Sequence, residues 1–339
     1  YKYTPPDDMT RKTISVFRIF SVCSVIAAHV NRVVFDQSFF VTAITGFWNA
    51  FGQVGVIGFF LLGGFLYHRE EHDDSRFWKK KLFSIIFPWL LCSSATYLLS
   101  AFLSRQIGVL DYLKWFLGVG TWYYYVPVFL LFLLLFKWLS RHDALLFACI
   151  GITVLSLTLS TFDANLLNTV LPTPYLNPMN WVGFFALGIM IRKYRLDVSI
   201  VSKLPCAFIA MAIALLSLAG MFCLDGFGYF HLLAIPWELS VVTLFGILSR
   251  RIAMTRWSQR IVSFGDDTYC IYLLHMQIVQ FVVARLPSTG LFYLANPLIS
   301  TVLMFALVAI GKRIVCLLPF GFYLCQAVGL RTHPTKKNK

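Results

Sequence analysis

"VPVFLLFLLLF", residues 126–136, is an eleven-residue run without a charge, an amide or a hydroxyl. It is apolar all round, which suits a helix enclosed by lipid or by other apolar helices. With "GTWYY" upstream and "KWLS" downstream, it approaches the 20 or so residues that cross a bilayer as a helix. A second run, "AFIAMAIALLSLAGMF" at 207–222, reads the same way. Across the chain, 58% of residues are hydrophobic, 17% aromatic and only 13% charged, so there is too little polar side chain to coat a water-soluble globule. In hydrocarbon, helices satisfy their own backbone groups, so the expectation is an all-α, polytopic transmembrane helical bundle. About ten spans can be marked, near 14–33, 45–67, 82–104, 121–140, 144–163, 179–192, 205–224, 229–249, 264–286 and 293–313. The sixth is short, and its approach "LPTPYLNPMN" suits a re-entrant or lumenal loop. The last can run on as an interfacial helix through "IVCLLPFGFYLCQAVGL", so counts of nine and eleven stay open. No polar stretch is long enough for a separate soluble domain. The expected division is an N-terminal segment 1–13, a transmembrane domain 14–318 and a basic tail 319–339.

The net charge of +14 is arranged by loop. Arg11 and Lys12 precede the first span; Arg69, Arg76, Lys79, Lys80 and Lys81 follow the second. Lys137, Arg141, Arg192, Lys193, Arg195 and Lys203 follow spans four and six, Arg250, Arg251, Arg256 and Arg260 follow span eight, and Arg331, Lys336, Lys337 and Lys339 close the chain. The alternate loops hold only Arg32, Arg105, Lys114 and Arg285. By the positive-inside rule both termini are cytoplasmic and the span count is even, which accounts for the basicity without nucleic acid. The eight cysteines are scattered without metal-ligand spacing and read as buried free thiols. "YKYTPPDDMTRK" leads into a first helix with no small-residue cleavage site, so that helix is expected to be retained.

Ionisable residues inside apolar spans need a reason, since each costs a few kcal/mol at the bilayer centre. Arg18 and His29 stand eleven residues apart, about 20° beyond three full turns, so they share one helix face roughly 16 Å apart along the axis. Their bland reading is a snorkelling arginine and an interhelical hydrogen-bonding histidine. Glu238 and His275 lie mid-span in the eighth and ninth segments, and each reads equally as a functional or a structural group. His231 fits a structural hydrogen bond better. Imidazole and carboxylate together suit general-base work. In the loop "HREEHDDSRFWKKKLFSIIFPW", the run His68, Glu70, Glu71, His72, Asp73 and Asp74 lacks ordered ligand spacing and reads as solvated; no metal is expected. Arg76, Lys79, Lys80 and Lys81 suit anionic lipid or the phosphates of a nucleotide-bearing donor. Gly55, Gly58, Gly63 and Gly64 in "GQVGVIGFFLLGGF" are spaced for close helix approach; no strand precedes them as a dinucleotide fingerprint would require.

Five features in order carry a resemblance. They are the Arg-x10-His pattern of Arg18 and His29, the Phe-rich "VGVIGFFLLGGFLY" with Gly63 in place of a serine, and the basic cluster running into "SIIFPW". The fourth is Trp122 of "GTWYYYVPVF", and the fifth is "FGDDTYCIYLLHMQI" with Thr268 in a serine position. Over residues 11 to about 310 the chain resembles the acyltransferase 3 family of integral membrane acyltransferases, in the stand-alone form without an SGNH domain. It departs where the family commonly has an Asp just before the arginine, and where Ile19 replaces a glycine.

The resemblance implies transfer of an acyl group other than aminoacyl, most often acetyl from cytoplasmic acetyl-CoA or another acyl-CoA, with no permanently bound cofactor. The acceptor it implies is a sugar hydroxyl of a cell-surface polysaccharide or lipid-linked glycan, in a bacterial inner membrane. On that reading His29 is the base or a transient acyl carrier, and Arg18 anchors donor phosphate or an oxyanion. Arg76, Lys79, Lys80, Lys81 and Trp122 join Arg18 in donor binding, and Glu238 and His275 support catalysis. A transporter or flippase using an intramembrane His/Glu relay remains the alternative. A purely structural membrane subunit would leave the buried ionisable groups unexplained.

Overall fold

The computed structural model describes residues 6–30, 38–68, 74–104, 108–163, 173–196, 203–224, 228–283, 285 and 292–331. Among them every regular element is helical: α1 Asp8–Val30, α2 Phe39–Phe65, α3 Asp74–Lys81, α4 Phe87–Ser104, α5 Val109–Leu117, α6 Tyr125–Leu139 and α7 Asp143–Phe162. After them come α8 Val182–Lys193, α9 Leu204–Cys223, α10 Ala234–Ala253, α11 Ser258–Asp266, α12 Thr268–Val283, α13 Phe292–Cys316 and α14 Gly321–Ala327. Seven of the described helices are long and apolar enough to cross a membrane: α1, α2, α3 running into α4, α6 with its leading turn, α7, α9 and α13. Helices also stand at the other three expected spans. However, α8 has 12 residues, α12 has 16, and α10 carries Glu238, Arg250 and Arg251 within its length.

Helix α3 begins eight residues earlier than the expected third span and passes into α4 through a π turn, Leu82–Ile86, where the Phe87 N–H bonds the Leu82 carbonyl. Pro88 is the cause on physical grounds. It has no N–H to donate and its ring crowds the preceding turn, which a wider turn relieves. The basic cluster Arg76, Lys79, Lys80 and Lys81 therefore sits on a helix, with Asp74 paired to Lys137. Glu70, Glu71, His72 and Asp73 lie outside the described residues.

Helices α1 and α2 form the centre. Buried positions make up 72% of the apolar window of α2 against 22% of α9, which puts α9 at the outside. Lipid offers no hydrophobic drive between helices, so close packing of small residues and interhelical hydrogen bonds must hold the centre together. That is how α1 and α2 meet. A Cβ on Gly52 would stand 2.6 Å from Ala28 Cα, and one on Gly55 would strike the Ser21 carbonyl. The approach lets the Ser24 hydroxyl donate to the Phe51 carbonyl at 2.6 Å, while the Trp237 indole of α10 donates to the Ala50 carbonyl at 2.7 Å. On its far side α2 meets α8 through Gly64 against the Phe185 carbonyl and Gly188 against the Leu61 carbonyl. Phe60, Phe132, Phe136 and Phe185 fill the adjoining core. Side chains such as Phe102, Phe208 and Leu216 point outward as the lipid-facing surface. All eight cysteines are free; Cys92, Cys149, Cys270 and Cys325 are buried, whereas Cys223 and Cys316 are exposed.

Candidate active site

Helix α1 runs between two cavities, and Arg18 and His29 open into different ones. At the N-terminal end Arg18 lines a cavity of about 740 Å³ with Lys80 and Lys81 of α3, His68, Asp266 and Arg331. Its inner walls are Tyr125, Phe129, Tyr269 and Tyr272. The guanidinium of Arg18 stands 4.0 Å from Asp266, which also accepts from Arg331 Nη1 at 3.3 Å. The pocket is thus rich in cations, with one carboxylate shared by two arginines. Arg76 and Lys79 belong to the same helix as Lys80 and Lys81 but face outward, and neither lines the cavity.

At the other end of α1, about three turns away, His29 is exposed into a second cavity of about 1170 Å³. Aromatic rings and neutral polar groups line it, among them Trp115, Trp122, Tyr175, Tyr229, Gln53 and Gln277. Trp122 therefore stands with His29 and away from the basic cluster with which the resemblance grouped it. A local turn puts it there. Gly118 ends α5 in the left-handed region at φ +84°, its N–H bonding the Trp115 carbonyl and the Val119 N–H bonding the Lys114 carbonyl. A side chain at Gly118 would meet the Tyr124 backbone as well as forcing a strained φ. The turn delivers Trp122–Tyr124 against α12, where two tyrosines make a reciprocal tie. Tyr272 Oη donates to the Trp122 carbonyl, and Tyr123 Oη donates to the Leu273 carbonyl at 3.0 Å.

His275 stands behind this wall. Its ring centroid lies 5.0 Å from that of His29, 6.1 Å from Trp122 and 5.9 Å from Tyr272, and it is fully buried. The Nδ1 atom lies 2.6 Å from the Tyr272 carbonyl oxygen. A carbonyl only accepts, so Nδ1 carries the proton and Nε2 keeps its lone pair. That Nε2 has no hydrogen-bond partner among the described residues. Two imidazoles, one facing a cavity and one held in a fixed tautomer behind it, are an arrangement suited to taking a proton from a substrate and steadying the charge that follows.

The remaining sequence candidates do not join this pair. Glu238 is fully buried in α10, both its carboxyl oxygens lack hydrogen-bond partners among the described residues, and it lines neither cavity. His231 accepts from the Leu233 N–H through Nδ1 at 3.2 Å, a local bond just before α10. Among the described residues no cluster of His, Cys, Asp or Glu is placed to hold a metal ion. Asp266, Arg331, Tyr272 and Trp115 are not among the site residues expected from the sequence, where Arg331 stands only in the basic tail. "FGDDTY" offered a signal for Asp266, because two adjacent carboxylates at a helix junction in so apolar a chain need partners.

The model of the family described as an acyltransferase domain, the acyltransferase 3 family, matches residues 11–312. Comparison with curated proteins and with solved structures gave no match.

Proposed function

Because the chain belongs to the acyltransferase 3 family, and is an integral membrane acyltransferase by that membership and by its apolar helices, we propose that it moves acetyl from acetyl-CoA to a sugar hydroxyl of a cell-surface or lipid-linked glycan. One observation carries the reading: Arg18 and His29 lie on one face of α1 and open into two cavities of opposite character. The basic cavity suits the phosphates of a thioester donor, with Arg18, Lys80 and Lys81 supplying charge-assisted hydrogen bonds. The aromatic cavity suits a sugar ring, whose apolar faces stack on indole and phenol while amides and hydroxyls meet its oxygens. A donor that leaves its phosphates at Arg18 must extend its acyl arm roughly 16 Å along α1 to reach His29.

There the acceptor hydroxyl attacks the thioester carbonyl, forming the C–O bond as the C–S bond breaks. His29 takes the hydroxyl proton and returns it to the departing thiolate, with His275 stabilising the imidazolium from behind. In this reading α8, α10 and α12 complete a ten-helix bundle in a bacterial inner membrane. Both termini and the basic cavity then face the cytoplasm, and His29 faces the outer half.

The test uses detergent-purified protein, [14C]acetyl-CoA and an extract of lipid-linked glycans. Label in the glycan supports transfer chemistry, because detergent leaves no gradient to drive a transporter. Release of no CoA and labelling of no glycan, with a folded protein, would move the reading to a transporter or flippase.

A further inference from the structure

The family match ends at residue 312, yet part of the basic cavity is built from residues beyond it. Gln326, Gly329, Leu330 and Arg331 all line that cavity. The chain returns there by a defined route. Helix α13 ends at Cys316, and Gly321 packs against the Val315 carbonyl, too close for a side chain. Helix α14 ends at Ala327, and two residues on Gly329 turns the chain with a left-handed φ of +81°, its N–H on the Gln326 carbonyl and the Leu330 N–H on the Cys325 carbonyl. Leu330 is buried beside Cys270 and Cys325.

The end of this strap is pinned to the junction between α11 and α12. The Arg331 N–H donates to Asp267 Oδ1 at 3.2 Å, and the Lys312 ammonium holds both oxygens of the same carboxylate at 2.8 and 2.7 Å. With its backbone fixed in this way, the Arg331 side chain reaches Asp266 through Nη1 and remains 61% exposed. A guanidinium has five N–H donors in a planar fork, so one bond to Asp266 leaves donors available beside Lys80, Lys81 and Arg18.

We infer that Arg331 is a donor-binding residue, carried into the cavity by the α14 strap to contact the phosphate groups of an acyl-CoA. The inference rests on the proposed acyl-CoA chemistry and adds to it a contact from outside the matched domain. The strap orders the residue before the donor arrives, so the contact costs little extra ordering on binding. Asp266 holds the fork in the cavity until a donor phosphate, which accepts the same bidentate charge-assisted bonds, takes its place.

The experiment measures the Kd of full-length purified protein for acetyl-CoA and for S-acetylpantetheine, which keeps the thioester arm and lacks the nucleotide phosphates. Arg331→Gln is expected to weaken acetyl-CoA binding roughly tenfold and to leave S-acetylpantetheine binding unchanged. Gly329→Ala, which touches no charge but opposes the left-handed turn, is expected to act in the same direction on acetyl-CoA alone. Arg331→Lys should recover part of the loss through its point charge. Unchanged acetyl-CoA affinity in both Arg331→Gln and Gly329→Ala overturns the inference, as does an equal loss for the two donors, which would mark a merely structural strap. Failure of the unsubstituted protein to bind acetyl-CoA overturns the acyl-CoA reading itself and the inference with it.

Discussion

Gly52→Ala reaches the proposed catalytic pair, His29 and His275, without touching it. Gly52 lies where α2 crosses α1, and a Cβ there would stand 2.6 Å from Ala28 Cα and 2.7 Å from Ala28 Cβ. Ordinary contact begins near 3.4 Å, so the two backbones must separate by about 0.8 Å. The obstructing atoms belong to the helix itself, so no side-chain rotation relieves them. Ala28 directly precedes His29, and the shift passes to an imidazole now 5.0 Å from His275. Overpacking of this kind costs about 1–3 kcal/mol of stability, while a misplacement near 1 Å in a catalytic group costs about 10²-fold in rate. The expected result is a folded protein with a lowered thermal midpoint and a 10- to 100-fold lower kcat for acetyl transfer, by the same principle. Gly151→Ala is the control, since a Cβ there meets nothing within 4 Å. Both variants are assayed in detergent for label transfer and thermal unfolding. Wild-type kcat in Gly52→Ala would refute the claim that this crossing sets the position of His29.

Other substitutions separate the remaining roles. His275→Gln is expected to lower kcat by about 10²-fold with KM nearly unchanged, measured by initial rates over a range of acetyl-CoA concentrations. Glu238→Gln, at a fully buried carboxyl that lines neither cavity, is expected to keep at least about half of the transfer rate, because an isosteric amide preserves the packing. Inactivity of that variant in folded form would bring Glu238 into the chemistry. Trp237→Phe removes the 2.7 Å hydrogen bond to the Ala50 carbonyl, which lies mid-helix in α2 and keeps its helical partner, and should cost about 0.5–1.5 kcal/mol, read as a lower unfolding midpoint.

What the sequence disclosed follows from the range of each signal. Helical periodicity is local, so the shared face of Arg18 and His29, the close-approach glycines of α2 and the all-helical class were legible from the chain. The length of apolar runs was less decisive. Glu238, Arg250 and Arg251 sit within α10 and interrupt its apolar length, and Pro88 widens a turn where a plain span start was expected. Convergence depends on residues far apart in the chain, so no spacing announced that His275 backs His29 or that Asp266 sits beside Arg18 and Arg331. Trp122 shows the limit of carrying a role over from a resemblance. Its role as a donor-binding partner of the lysines came from the resemblance, yet the Gly118 turn and the tie from Tyr272 hold it in the aromatic cavity. The strap of α14 was equally hidden, because a short apolar helix near a basic end resembles an interfacial segment until its contacts are seen.

The central claim is that α1 divides the work, with donor binding at Arg18 and proton transfer at His29. It is tested most directly by measuring acetyl-CoA affinity and single-turnover acetyl transfer side by side in Arg18→Ala and His29→Ala. The account predicts that His29→Ala binds acetyl-CoA like the unsubstituted protein and transfers no acetyl, whereas Arg18→Ala loses affinity at least about tenfold. Transfer that persists in folded His29→Ala would contradict it.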